Sequence, residues 1–192
     1  MKNLSLVFAL VLVFGVSISA KAGSDNDKDK SAKHDVKVVI PKHTSIGLSS
    51  DATITLSPSA PESAGQGLRF DVASASDNSH WLQYSSITSS ANSISVSMTS
   101  NGQALPNGVV IELQAGSNAN AGKGEAGSPK PAIVLNGGQQ EIISNIGSCY
   151  TGTGSNAGHQ LTYTLKMTNA DQYSELASGE FKNTITYTIT EN

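Results

Sequence analysis

Apolar and polar residues alternate with a period of two along this chain, in short runs broken by Gly, Pro, Asn and Ser, and that pattern narrows the accessible folds more than any motif. Apolar side chains fall on one face at Val36, Val38 and Ile40, at Ile54 and Leu56, at Leu68, Phe70 and Val72, and at Ile94, Val96 and Met98. The same holds at Val109, Ile111 and Leu113, at Leu161, Tyr163, Leu165 and Met167, and at Phe181, Ile185, Tyr187 and Ile189. Successive strand side chains point to opposite faces, so these runs read as half-buried strands. HWLQYSSI and PAIVLN add two more inner strands. Asn169 and Gln172, spaced as a capping box, predict one short helical turn over residues 169–176. The expected fold is all-β: an immunoglobulin-like antiparallel β-sandwich of about eight to ten strands. Its inner faces would meet at ~10 Å, each buried aliphatic side chain contributing ~1.5–3 kcal/mol.

A chain of 192 residues is one domain's worth. Lys2, the apolar residues 4–16 and the small residues ending in Ala20-Lys21-Ala22 predict a secretory signal peptide over residues 1–22. Its apolar run is shorter than the ~20 residues needed to span a bilayer as a helix. Residues 23–34 mix both charge signs without a large apolar side chain and read as a flexible arm, leaving residues 35–192 as the folded domain. Without Lys2 and Lys21, ten basic residues stand against fifteen acidic ones, a formal charge of -5. That balance argues against a nucleic-acid partner, and no membrane insertion of the mature chain is expected. The expected location is secreted, at the cell surface or outside the cell, with the periplasm as an alternative.

Two stretches break the alternation. Residues 115–131, AGSNANAGKGEAGSPKP, are small and polar without periodicity and read as a long surface loop. IGSCYTGTGSNAGHQLTYTL carries the only cysteine, Cys149, with Gly152, Gly154, Gly158 and His159. EIISNI before it and LTYTLKM after it read as strands, so this segment is a strand-to-strand connection. A phosphate cradle needs glycines that lead into a helix N-terminus, and these lead into a strand. Cys149 reads first as a buried structural thiol, with an intermolecular disulfide or a Cys149/His159 nucleophile as alternatives.

No other cluster has the spacing of a catalytic or metal centre. His34, His43, His80 and His159 are scattered and read as surface histidines. Asp25, Asp27 and Asp29 imitate half of a calcium loop, but Lys30 and Val36 stand where glycine and glutamate are needed. Asp171 and Glu175 fall on a polar turn and no carboxylate pair suits glycoside hydrolysis. Trp81 is the candidate ligand aromatic, against a reading as a core tryptophan. Thr184, Thr186, Thr188 and Thr190 form an outward row, as do Thr162 and Thr164, which strand propensity alone explains. The chain is therefore expected to need no cofactor or metal and not to be an enzyme.

DVKVVIP, HWLQYSS and IGSCYTGTG followed by GH and LTYTL resemble a set of small secreted bacterial β-sandwich proteins of unassigned function. In that resemblance the cysteine and glycines are hallmarks of fold or assembly. GEFKNTITYTIT is more loosely similar to the terminal strand of fimbrial, pilin-like subunits, although this chain lacks their penultimate aromatic and disulfide pair. A flexible arm followed by Val36, Val38 and Ile40 is what strand-donating polymers use. The expected function is a secreted structural or adhesive subunit, self-associating or binding other extracellular components, with fibres built by N-terminal strand donation. The alternatives are that residues 35–40 pair within their own domain, and that the protein is a monomeric binding module for glycans or another surface ligand.

Overall fold

The computed structural model describes residues 32–119 and 121–191. The expected signal peptide, most of the charged arm and the calcium-like segment at residues 25–29 lie outside the described residues. The chain divides into a unit of residues 1–38 and a unit of residues 39–192. In the first unit, described residues 32–38 form no strand and are exposed throughout.

The second unit is all-β. Its strands are β1 (His43–Leu48), β2 (Ser76–Asp77), β3 (Trp81–Ile87), β4 (Asn92–Ser100), β5 (Val109–Asn118), β6 (Lys123–Pro129), β7 (Ile133–Val134), β8 (Gln140–Tyr150), β9 (His159–Met167) and β10 (Asn183–Thr190). All ten belong to one antiparallel sheet with the order β10-β4-β8-β3-β9-β5-β7; β1 joins on β3, β2 on β9 and β6 on β8. Hydrogen bonding thus links the strands continuously, in place of two separately bonded sheets. Leu82, Ile94, Leu113, Ile143, Ile146 and Leu161 are fully buried in one core, and Ile185 and Tyr187 of β10 pack on it together with Ile111 and Ile133 from the opposite end of the order. The sheet therefore curls so that its two ends share a core. The expected turn near residue 170 is the 3-10 turn Ala170–Glu175, where the Asn169 side chain accepts from the Asp171 N–H; Ala73–Ala75 forms a further single turn.

Four expected strands differ. Val36, Val38 and Ile40 lie in no strand and are 75%, 78% and 75% exposed. Ile54 and Leu56 alternate inward on a segment that pairs with no strand among the described residues. Leu68, Phe70 and Val72 keep only the isolated bridge between Ser59 and Arg69, and PAIVLN reduces to the two residues of β7. Alternation marks which face is apolar; a backbone partner must come from elsewhere in the chain.

Residues 115–131 are not a surface loop. Residues 115–118 complete β5, and Lys123–Pro129 is β6, paired with β8 from Tyr150 to Ile143. Small residues are needed here because β6 presses onto the β8 backbone. A Cβ on Gly124, at φ 90°, would run into the Ser148 carbonyl and stand 2.8 Å from the Cys149 Cα. Composition alone cannot tell this requirement from loop preference, since both select glycine.

The glycine-rich connection is positioned by β3. One edge of β3 is taken by β1 along residues 82–87. The other is shared: Ser85 and Ser86 pair with β8, and Trp81 and Leu82 with β9. Residues 151–158 cross the point where β8 hands over to β9. Thr151 is fully buried and continues the ladder, its N–H donating to the Tyr84 carbonyl at 3.0 Å while its hydroxyl accepts from the Tyr84 N–H at 3.0 Å. Gln83 donates to the carbonyls of Gly154 and Ala157. Gly152, Gly154 and Gly158 all have φ near +88°, as +87°, +89° and +88°. A Cβ on Gly158 would overlap the Leu82 carbonyl, whereas one on Gly154 meets nothing within 4 Å. We expect Gly154→Ala to cost about 1–3 kcal/mol from backbone strain alone and Gly158→Ala to cost distinctly more. Urea midpoints at unchanged m-value measure both; equal losses would refute the close-packing role of Gly158.

Candidate functional site

Alternation in β9 places His159 in phase with Leu161, Tyr163 and Leu165, so the histidine points into the core. It is fully buried, and the expectation of a surface residue is corrected by the very periodicity that marked its neighbours. Its Nδ1 lies 2.7 Å from the Gly116 carbonyl and its Nε2 2.8 Å from the Tyr84 hydroxyl. Nδ1, facing a carbonyl, carries a proton and donates it to Gly116, while Nε2 stands against the Tyr84 hydroxyl and, at 3.3 Å, the Ala126 carbonyl. The Tyr84 hydroxyl also lies against the Ala126 carbonyl, and the two rings stack with centroids 5.8 Å apart. The pair thereby joins β3, β5, β6 and β9. Burial lowers the His159 pKa below its usual value, outweighing the two backbone carbonyls that pull it upward. Burial likewise raises that of Tyr84.

Cys149 belongs to β8, not to the connection after it, and is 6% exposed. Burial pushes its thiol pKa up, and the Glu125 carboxylate adds to the rise. A nucleophile needs the opposite shift. His159, meanwhile, has both nitrogens engaged by other groups. The arrangement suits a structural polar cluster rather than thiol chemistry.

The remaining candidates are dispersed. His34 and His43 are exposed. His80 is 5% exposed, so it too departs from the surface reading; its ring bonds the Ala52 carbonyl at 3.0 Å and the Ser79 hydroxyl at 3.0 Å. Trp81 is half-buried and points opposite to Leu82 and Tyr84, outside the core. Asp171 and Glu175 are exposed on their turn. Thr184, Thr186, Thr188 and Thr190 face solvent beside Thr99, Ser97, Ser95 and Ser93 of β4. Among the described residues no group of three or more His, Cys, Asp or Glu side chains could hold a metal, and no helix is long and apolar enough to cross a membrane.

A broad concavity is a feature that sequence reasoning missed. A groove of about 1080 Å³ is walled on one side by residues 51–58 and on the other by β10 with the segment leading into it. Ile111, Tyr163 and Leu165 form its floor. The Tyr163 and Tyr187 hydroxyls meet at 2.5 Å, joining floor to wall. Beyond β10, Glu191 accepts from the Thr44 hydroxyl at 2.6 Å and pairs with Lys42 at 3.2 Å, tying the start of β1 to the end of β10. Those bonds hold the Glu191 pKa below its usual value. The groove arises because neither wall is paired across it. Among the described residues the backbone groups of residues 53–56 make no hydrogen bond, and β10 pairs with no described strand but β4. Unpaired alternation at Ile54 and Leu56, beside a C-terminal alternating run, is the only trace of it in the sequence.

Compared with known proteins, the chain matches no family model, no curated protein and no solved structure. Its geometry alone therefore carries the functional argument.

The two buried groups give a paired expectation. A folded-state pKa below the unfolded one means that the unfolded chain takes up the proton first as pH falls. Stability from neutral His159 is therefore complete above the ordinary histidine value of ~6.5 and declines as the pH drops below it. Urea midpoints should fall between about pH 7.5 and pH 5, and His159→Gln should flatten that dependence. Cys149 should resist a thiol reagent until urea unfolds the chain. Rapid labelling of the folded protein would reinstate a reactive thiol.

Proposed function

We propose that the protein is a secreted extracellular structural or adhesive subunit that self-associates into fibres by donating its N-terminal segment as a β-strand. The observation that carries this reading is the state of residues 32–40. Val36, Val38, Val39 and Ile40 are 75%, 78%, 70% and 75% exposed and belong to no strand. Burying each such side chain is worth about 1.5–3 kcal/mol, so leaving Val36, Val38 and Ile40 in water is costly unless a partner covers them.

The form of the segment suits strand addition. Val36, Val38 and Ile40 occupy one face of an extended chain, and backbone hydrogen bonds to a sheet edge would satisfy its polar groups while these side chains fill a groove. Pro41 has no N–H to donate and fixes where pairing stops. A buried thiol without a partner cysteine and dispersed titratable side chains favour a role in assembly over catalysis.

Negative-stain microscopy and light scattering on the chain lacking residues 1–22 test the proposal. Regular filaments or large particles are expected from it, and monomers from a chain lacking residues 1–40. Uniform monomers from both would overturn the assembly reading.

A further inference from the structure

We propose that the groove between residues 51–58 and β10 is the acceptor for residues 35–40 of a second copy of this chain. This inference rests on the strand-donation reading above and names the partner surface which that reading leaves open.

Three observations converge on the groove. The first is unmet backbone hydrogen bonding on both walls: among the described residues, the backbone groups of 53–56 have no hydrogen-bond partner, and β10, paired on its other side with β4, lines the groove from Asn183 to Tyr187. Exposed strand edges are ordinarily short, charged or covered. β10, by contrast, is eight residues long, uncharged and strictly alternating.

The second is direction. Thr44 meets Glu191, while residues 46–51 and 185–187 line one cavity, so the chain from β1 through residue 58 runs antiparallel to β10. A strand laid between these walls is parallel to one and antiparallel to the other, and can hydrogen-bond both. The tie of Lys42 and Thr44 to Glu191 closes one end of the slot.

The third is the match of length and side chain. Six extended residues span roughly 20 Å, within the length of β10. The groove is lined by Ile54, Leu56, Ile111, Leu165, Ile185 and Tyr187, an apolar surface for Val36, Val38 and Ile40. Lys37 then projects outward on the side of the Thr184 and Thr186 row. Filling the slot would join the two open walls through a shared strand.

Hydrogen exchange on the unmodified chain, compared between dilute monomer and assembled particle, tests the site. We expect the β10 amides directed away from β4, and those of residues 53–56, to slow on the order of tenfold or more on assembly. Disulfide trapping is the second measurement. Val38→Cys mixed with Ile185→Cys or Tyr187→Cys should give linked heterodimers, and Val38→Cys mixed with the outward-facing Thr186→Cys should not. Particles in which the arm is protected while β10 and residues 53–56 exchange as in the monomer, with no trapping, would overturn the acceptor site and leave strand donation standing. Absence of any assembly would overturn both.

Discussion

Two strands sharing one edge of β3 is the constraint on which the rest of the structure depends. Because β1 already occupies the other edge, β8 and β9 must divide the remaining one, and the chain between them has to cross β3 at close range. That crossing requires Gly158 beneath the Leu82 carbonyl and Thr151 in the ladder. It also brings His159 to the start of β9, where it stacks on Tyr84. The glycine-rich segment with its cysteine, which resembles a ligand loop on composition, is thus the joint by which the sheet curls around its core.

The same curl leaves the sheet incomplete. β10 lies at one end of the strand order, and residues 51–58 follow it across the groove without hydrogen-bonding to it. The core beneath is apolar, so the gap exposes both a backbone edge and a hydrophobic floor. Residues 36–40 present the complementary deficit, an apolar alternating segment without a sheet. Residues 36–40 are exposed and lie in no strand, and the groove beside β10 is open on its apolar floor.

Legibility differed by kind of signal. Where alternation coincided with a long-range partner, as in β4, β5, β9 and β10, the element and its inner face were both readable. His159 was readable too, since it shares the parity of Leu161 and Tyr163; its burial went unread because histidine was weighed by type rather than by phase. β8 resisted the same treatment. Asn145 sits at φ 58° and the β4 register shifts twice, so Ile142, Ile143, Ile146 and Cys149 are buried without a common parity. β6 was hidden because close backbone packing and loop preference call for the same small residues.

The sequence by itself determined the all-β class and the inward faces of the main strands, because both follow from period-two patterning. Tertiary structure alone decided which runs found partners: it put residues 115–118 into β5 and residues 123–129 against β8, left Ile54 and Leu56 without a strand partner among the described residues, and opened the groove beside β10. Strand pairing is a contact between distant parts of the chain, and neither partner's sequence specifies the other.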